Sequence, residues 1–90
     1  MSATAISSGV LTPGTVTLAT GRGTMNGILA QPGATVTIYD NTAASGNVLA
    51  LVVNAGTNTE EYLFNRAIRH DIGLTVVTAA ANSVVYFGAC

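Results

Sequence analysis

The chain has 90 residues, three basic and four acidic side chains, a formal charge of −1, 8% charged residues and 49% hydrophobic ones. Single domains run ~100–200 residues, so there is room for one core only, and the apolar content argues against intrinsic disorder. There is no lysine, and Arg22, Arg66 and Arg69 are too few for a phosphate-neutralising stripe, which argues against nucleic acid and anionic membranes as partners.

Residues 1–14 read as an N-terminal arm or a weak first strand, with Ile6 the one apolar anchor among small polar residues up to Ser8. Met1-Ser2-Ala3-Thr4 has neither the basic region nor the apolar core of a secretory signal. After a Pro13-Gly14 turn, Thr15-Val16-Thr17-Leu18-Ala19 alternates, which puts Val16 and Leu18 on one face of a strand. Thr20-Gly21-Arg22-Gly23 follows as a loop. Residues 24–30 are expected to form one strand with an internal glycine; a hairpin at Asn26-Gly27 would leave flanks too short to be strands. Gln31-Pro32-Gly33 closes it. Residues 35–40 give the clearest strand, with Val36 and Ile38 inward and Thr35, Thr37 and Tyr39 on the other face.

Residues 41–47 form a loop suited to an Asx turn at Asp40 or Asn41. Residues 48–53 run apolar on both faces, and residues 60–64 alternate weakly, with Tyr62 and Phe64 on one side. Residues 74–78 and 84–87 finish the chain as two more strands. Helix competes only at 59–68 and 79–81, where no 3.6-residue stripe is sustained. No run approaches the ~18 apolar residues of a membrane span. Seven or eight short strands spaced by roughly 8–14 residues predict an all-β fold. Its expected form is a small antiparallel β-sandwich, jelly-roll or immunoglobulin-like, over residues 15–90 as a single domain.

A domain this small buries only about 60–65% of its unfolded surface. Seven charged side chains cannot solvate the remainder, so thirteen threonines, with Asn and Ser, must do most of that work. Either the exterior is a threonine-rich β surface or other subunits cover much of it, and both are expected. Each strand of a two-layer sandwich should show one polar face, a rule that residues 48–53 and 84–87 break. Their outward apolar side chains either tuck under loops or pack against another subunit, and the low charge favours the second. The candidate interface residues are therefore Val48, Leu49, Val85 and Phe87, joined by Arg22 because arginine is enriched at binding hot spots.

Signals for chemistry are weak. His70 is the only histidine, and its neighbour Asp71 points the opposite way on a strand, so joint chelation fails; Arg69-His70-Asp71 is expected to supply polar caps before the strand at Leu74. Glu60 and Glu61 are adjacent and diverge, whereas a hydrolytic pair must converge; they read as solvated or as partners for Arg66 and Arg69. Ser45 lacks the preceding glycine of a nucleophile elbow, and a triad would need it to meet His70 and Asp40 or Asp71. Gly21-Arg22-Gly23 has no phosphate-loop spacing behind it. Tyr39, Tyr62 and Tyr86 could stack on a sugar, but core or interface roles are expected of them. The single Cys90 allows no disulfide within the chain and suits a reducing cytosol. The expectation is a protein without catalytic residues, cofactor or metal.

The stretch Thr35-Val36-Thr37-Ile38-Tyr39-Asp40-Asn41-Thr42-Ala43-Ala44-Ser45-Gly46-Asn47-Val48-Leu49-Ala50 resembles a strand, small-residue loop and strand common in small virion proteins of tailed bacteriophages. Gly73-Leu74-Thr75-Val76-Val77 followed by Val84-Val85-Tyr86-Phe87 is similar to the end of such chains, and the strand at 23–30 fits the same layout. The likeness spans residues 22–88. It implies a β-sandwich subunit that decorates or cements the phage head, commonly as a homotrimer. Its partners would be copies of itself and the major capsid protein or another virion protein. It would be made in the host cytoplasm and reside in the virion. A place at the neck, tail or fibre, or a carbohydrate-binding role in host recognition, is the alternative.

Overall fold

A computed structural model describes residues 6–89, and all eight of its regular elements are strands. They are β1 (Ile6–Ser7), β2 (Gly14–Thr20), β3 (Gly23–Ala30), β4 (Thr35–Asp40), β5 (Asn47–Val53), β6 (Glu60–His70), β7 (Gly73–Ala79) and β8 (Ser83–Ala89). The expectations for Met1 to Ala5 and for Cys90 lie outside the described residues.

The pairings follow a simple rule. Strands β1·β8, β2·β7, β3·β6 and β4·β5 pair antiparallel, as in one long ribbon folded at the β4–β5 hairpin. The ribbon then rolls up, so that β8 also meets β3 and β7 also meets β4. The result is two four-stranded sheets, sheet A in the order β1-β8-β3-β6 and sheet B in the order β2-β7-β4-β5. This eight-strand double sheet is the jelly-roll member of the two expected sandwiches, not the immunoglobulin one.

The fully buried apolar residues come almost entirely from the four inner strands: Met25, Ile28 and Ala30 on β3, Val36 and Ile38 on β4, Leu74 and Val76 on β7, and Val85 on β8. Ala34, in the β3–β4 turn, completes the set. The edge strands lend only partly buried side chains, among them Leu18, Leu49, Val52, Phe64 and Ile68. Period-two alternation explains the division, since Val36 and Ile38 point inward from β4 while Thr35, Thr37 and Tyr39 point outward.

Local chemistry sets the turns. Gln31-Pro32-Gly33-Ala34 closes with Ala34 N–H donating to the Gln31 carbonyl at 2.9 Å, and Gly33 takes φ of 88°. Proline second and glycine third are what a type II turn needs. The expected Asx turn does not form at Asp40 or Asn41; Asn41 braces the loop otherwise, its Oδ1 accepting from the adjacent Thr42 N–H at 2.8 Å and its Nδ2 donating to the Ser45 carbonyl at 2.9 Å. Asn54 is buried and fully used, donating to the Ala30 and Asn58 carbonyls and accepting from Gly56 N–H, which fixes the chain where it crosses from β5 to β6. Thr78 and Ser83 share a buried hydroxyl bond of 2.8 Å across the β7–β8 turn, so neither polar group is left stranded inside the sandwich.

Three further expectations change. Residues 24–30 do form one strand, but the pairing slips between Met25 and Gly27 against both neighbours, so Asn26 is a bulge. A second slip falls between Thr17 and Ala19: Val16, opposite the buried Val76, and Leu18 share the inward face as expected, Val16 being 37% exposed on this edge strand, but Ala19 also turns toward the core, so the alternation ends at Leu18. Finally, β6 runs on to His70, well past the weak pattern at 60–64.

Candidate interaction surface

Residues directly opposite in a ladder share a face, so the printed registers give the outer surface of sheet B row by row. Thr15, Val77, Thr37 and Leu51 form one row. Thr17, Thr75, Tyr39 and Val48 form a second, and Ala79, Thr35 and Val53 a third. None of these side chains is ionisable at neutral pH. At the β5 margin Val48, Leu51 and Val53 are 49%, 61% and 59% exposed. One threonine row is knitted together: Thr17 and Thr75 hydroxyls lie 2.9 Å apart, and Thr75 donates to the Asn41 carbonyl at 2.8 Å. The face therefore carries no charge, has its Thr17–Thr75 row tied to the Asn41 and Thr42 carbonyls with Thr75 fully buried, and is apolar along one edge.

The charged groups lie elsewhere. Arg22, Asp40, Arg69 and Asp71 gather at the end of the sandwich that carries the β2–β3, β4–β5 and β6–β7 turns. Asp40 Oδ1 accepts from the backbone N–H groups of Asp71, Ile72 and Gly73 at 3.0, 2.9 and 3.4 Å. The Ile72 N–H is the largest influence holding its carboxyl below the ordinary 3.8, with burial opposing and the Asp71 and Gly73 bonds and the His70 ring adding to it. Asp71 takes both cations, Arg69 at 3.1 Å and Arg22 at 3.7 Å, through exposed pairs of little energetic weight. Arg69 thus pairs with Asp71 and not with the glutamates. Glu61 instead accepts from the Tyr86 hydroxyl at 3.1 Å, a bond that raises the Tyr86 pKa above 10.0.

His70 is a structural residue. It is buried, and Nδ1 lies 2.8 Å from the Gly21 carbonyl, which can only accept, so Nδ1 carries the proton. The ring ties the β2–β3 turn to the end of β6, while Nε2 is buried without a partner. A side chain at Gly23 would place Cβ 2.7 Å from Nε2, so glycine makes room for the imidazole there. Among the described residues no three His, Cys, Asp or Glu side chains group as metal ligands.

The five candidate interface residues do not assemble into one patch. Arg22 is exposed at the charged end. Val48 is exposed on β5, while Leu49, at the β5 slip, packs partly against the core. Val85 must be withdrawn: it is fully buried, opposite the equally buried Ile28, on a strand enclosed between β1 and β3. Phe87, opposite the buried Met25, also turns inward and packs partly against the core. The outward pair on β8 is Val84 and Tyr86, both half-buried. Sequence reasoning missed Leu51 and Val53, although their period-two spacing on the one long apolar run marked them.

The tyrosines are also dispersed. Tyr39 lies on the outer face of sheet B, Tyr86 on that of sheet A, and Tyr62 opposite the buried Ile28 on an inward-facing edge position. No stacking platform is built from them. A shallow cleft of about 260 Å³ is lined by the continuous segment Val10, Leu11, Thr12, Pro13, Gly14, Thr15 and Val16, without an ionisable group. Compared with known proteins, the chain matches no family model, no curated protein and no solved structure.

Proposed function

We propose that this chain is a structural virion protein that coats or cements the head of a tailed phage, working by contact and not by catalysis. The single observation that carries the reading is the outer face of sheet B, uncharged throughout and edged by exposed Val48, Leu51 and Val53. Water-facing sheets normally carry charge, and an apolar exposed margin on so small a domain marks an interaction surface. The jelly-roll plan is used by viral shells, though also by lectins and cupins, so the fold supports the reading without deciding it. A coat subunit needs complementary surface in many identical copies, and each weak contact is multiplied by the lattice.

The test is co-sedimentation of the purified chain with heads of a tailed phage whose genome carries this sequence, prepared without it. The chain is expected to pellet with the heads and to raise the temperature at which they open. Thr37→Lys, which sets a charge in the middle of the sheet B face, is expected to abolish pelleting. A chain that stays in the supernatant at saturating concentration overturns the proposal.

A further inference from the structure

We infer that β5 is an edge left open for a second copy of this chain: two β5 strands pair antiparallel about a two-fold axis and join their B sheets into one eight-stranded sheet. The inference deepens the coat-protein reading by naming the partner of the β5 edge beside that face, but it is tested on the free chain.

An edge strand presents a row of unpaired backbone donors and acceptors, and proteins protect such rows with charge, proline, brevity or bulges. Three of the four edges here are protected. Strand β1 has two residues and leads into Gly9, which bends the chain at φ of 74°. Strand β2 starts behind Pro13 and is bulged at Thr17/Ala19. Strand β6 carries Glu60, Glu61, Arg66 and Arg69, and its pairing jumps from Leu63 to Ile68 opposite the Asn26 bulge. Strand β5 has neither charge nor proline nor glycine, and six consecutive apolar residues follow Asn47. Its one irregularity, at Leu49, leaves residues 50–53 in regular register with β4.

A row of backbone hydrogen-bonding groups flanked by apolar side chains fits another β-edge of the same kind. Strand β5 is self-complementary in this sense. An antiparallel pairing with its two-fold at Val52 sets Leu51 of one copy against Val53 of the other, twice, as cross-strand apolar pairs. No charge meets a like charge along the seam. Pairing β5 with β6 of another copy would instead press carboxylates and guanidiniums against Leu51 and Val53 without partners. The seam is short. Standard interfaces take about 800 Å² from each partner, roughly a sixth of the 4923 Å² surface here, and one strand edge supplies less. The pair is therefore reversible in solution and strengthened where copies are held side by side.

Light scattering and sedimentation across concentration test the pairing. The wild-type chain is expected to move from 9.0 kDa to twice that mass as concentration rises, while the amides of β5 gain protection from hydrogen exchange. Leu51→Lys is expected to weaken the pair about 100-fold with an unchanged β-sheet circular dichroism spectrum, and Thr37→Lys, one strand inward, to leave it intact. Val53→Lys repeats the test should Leu51→Lys misfold. A chain monomeric at millimolar concentration, a trimer with β5 amides unprotected, or dissociation by Thr37→Lys as readily as by Leu51→Lys overturns the pairing. None of these outcomes touches the head-binding result, so the two proposals fail separately.

Discussion

Strands β5 and β6 follow one another in sequence, separated only by residues 54–59, and each forms the edge of its own sheet. They treat that position in opposite ways. Strand β6 exposes Leu63 at 66%, but it also carries two glutamates and two arginines and interrupts its own ladder between Leu63 and Ile68. Strand β5 exposes three large apolar side chains on a charge-free strand. Of the seven charged residues, four lie on β6 and none on β5. A chain so poor in charge has concentrated what it has on one edge and at one end, which leaves the β5 edge without charge.

The comparison breaks most severely if β6 is detached. Gly27 sits where β3 is squeezed between β6 and β8, and a Cβ there would lie 2.9 Å from the Tyr62 carbonyl and from Leu63 Cδ2. Because a backbone atom is among the obstacles, Gly27→Val is expected to cost about 2–4 kcal/mol, read as a lowered urea midpoint. Next in size is removal of the guard. Replacing Glu60, Glu61, Arg66 and Arg69 together by threonine gives β6 an edge as bare as that of β5. Turbidity and larger assemblies are expected at concentrations where the parent stays clear.

A smaller effect sharpens the contrast between the charged end and the bare face. Asp40→Ala removes the acceptor for three turn N–H groups and is expected to cost on the order of 1 kcal/mol at neutral pH, held down by solvent around the carboxylate. Since the Asp40 pKa is depressed, its contribution is present above the ordinary 3.8 and is lost as pH falls below that value toward the folded one. Asp40→Asn should therefore flatten the acid limb of the stability curve. A limb unchanged by this substitution would show that Asp40 does not anchor the turn.

The smallest expected effect is spectroscopic. The Tyr86 pKa is raised chiefly by its bond to Glu61, so the phenolate band of this residue should emerge above pH 10.0 and return toward it in Glu61→Gln. The stabilisation by this bond is complete below the ordinary value and disappears as pH rises through the folded one.

Much of the fold was legible because a strand writes its two faces into alternate residues. Thr35, Thr37 and Tyr39 against Val36 and Ile38 sufficed for β4, and Gln31-Pro32-Gly33 announced its turn. The alternation failed where the backbone slips. Leu18, Asn26 and Leu49 each sit at a register shift, and a one-residue shift moves every later side chain to the opposite face. It failed too at β6, whose strand continues to His70 because residues 68–70 pair with β3 again beyond the Asn26 bulge.

The candidate surface was legible only in part. An apolar run on both faces flagged 48–53 and 84–87 equally, and the chain alone offered no means of telling them apart. Register and sheet order separated them: Val85 and Phe87 lie opposite the buried Ile28 and Met25 on an inner strand and face the sandwich interior, while Leu51 and Val53 point outward from β5, an edge with a neighbour on one side only. Composition and alternation determined by themselves that this is a small all-β domain with almost no charge, because burial and solvation act on each residue where it stands. Which apolar strand faces water depends on which strands lie beside it, and that was decided by pairings between residues as far apart as Ile6 and Phe87.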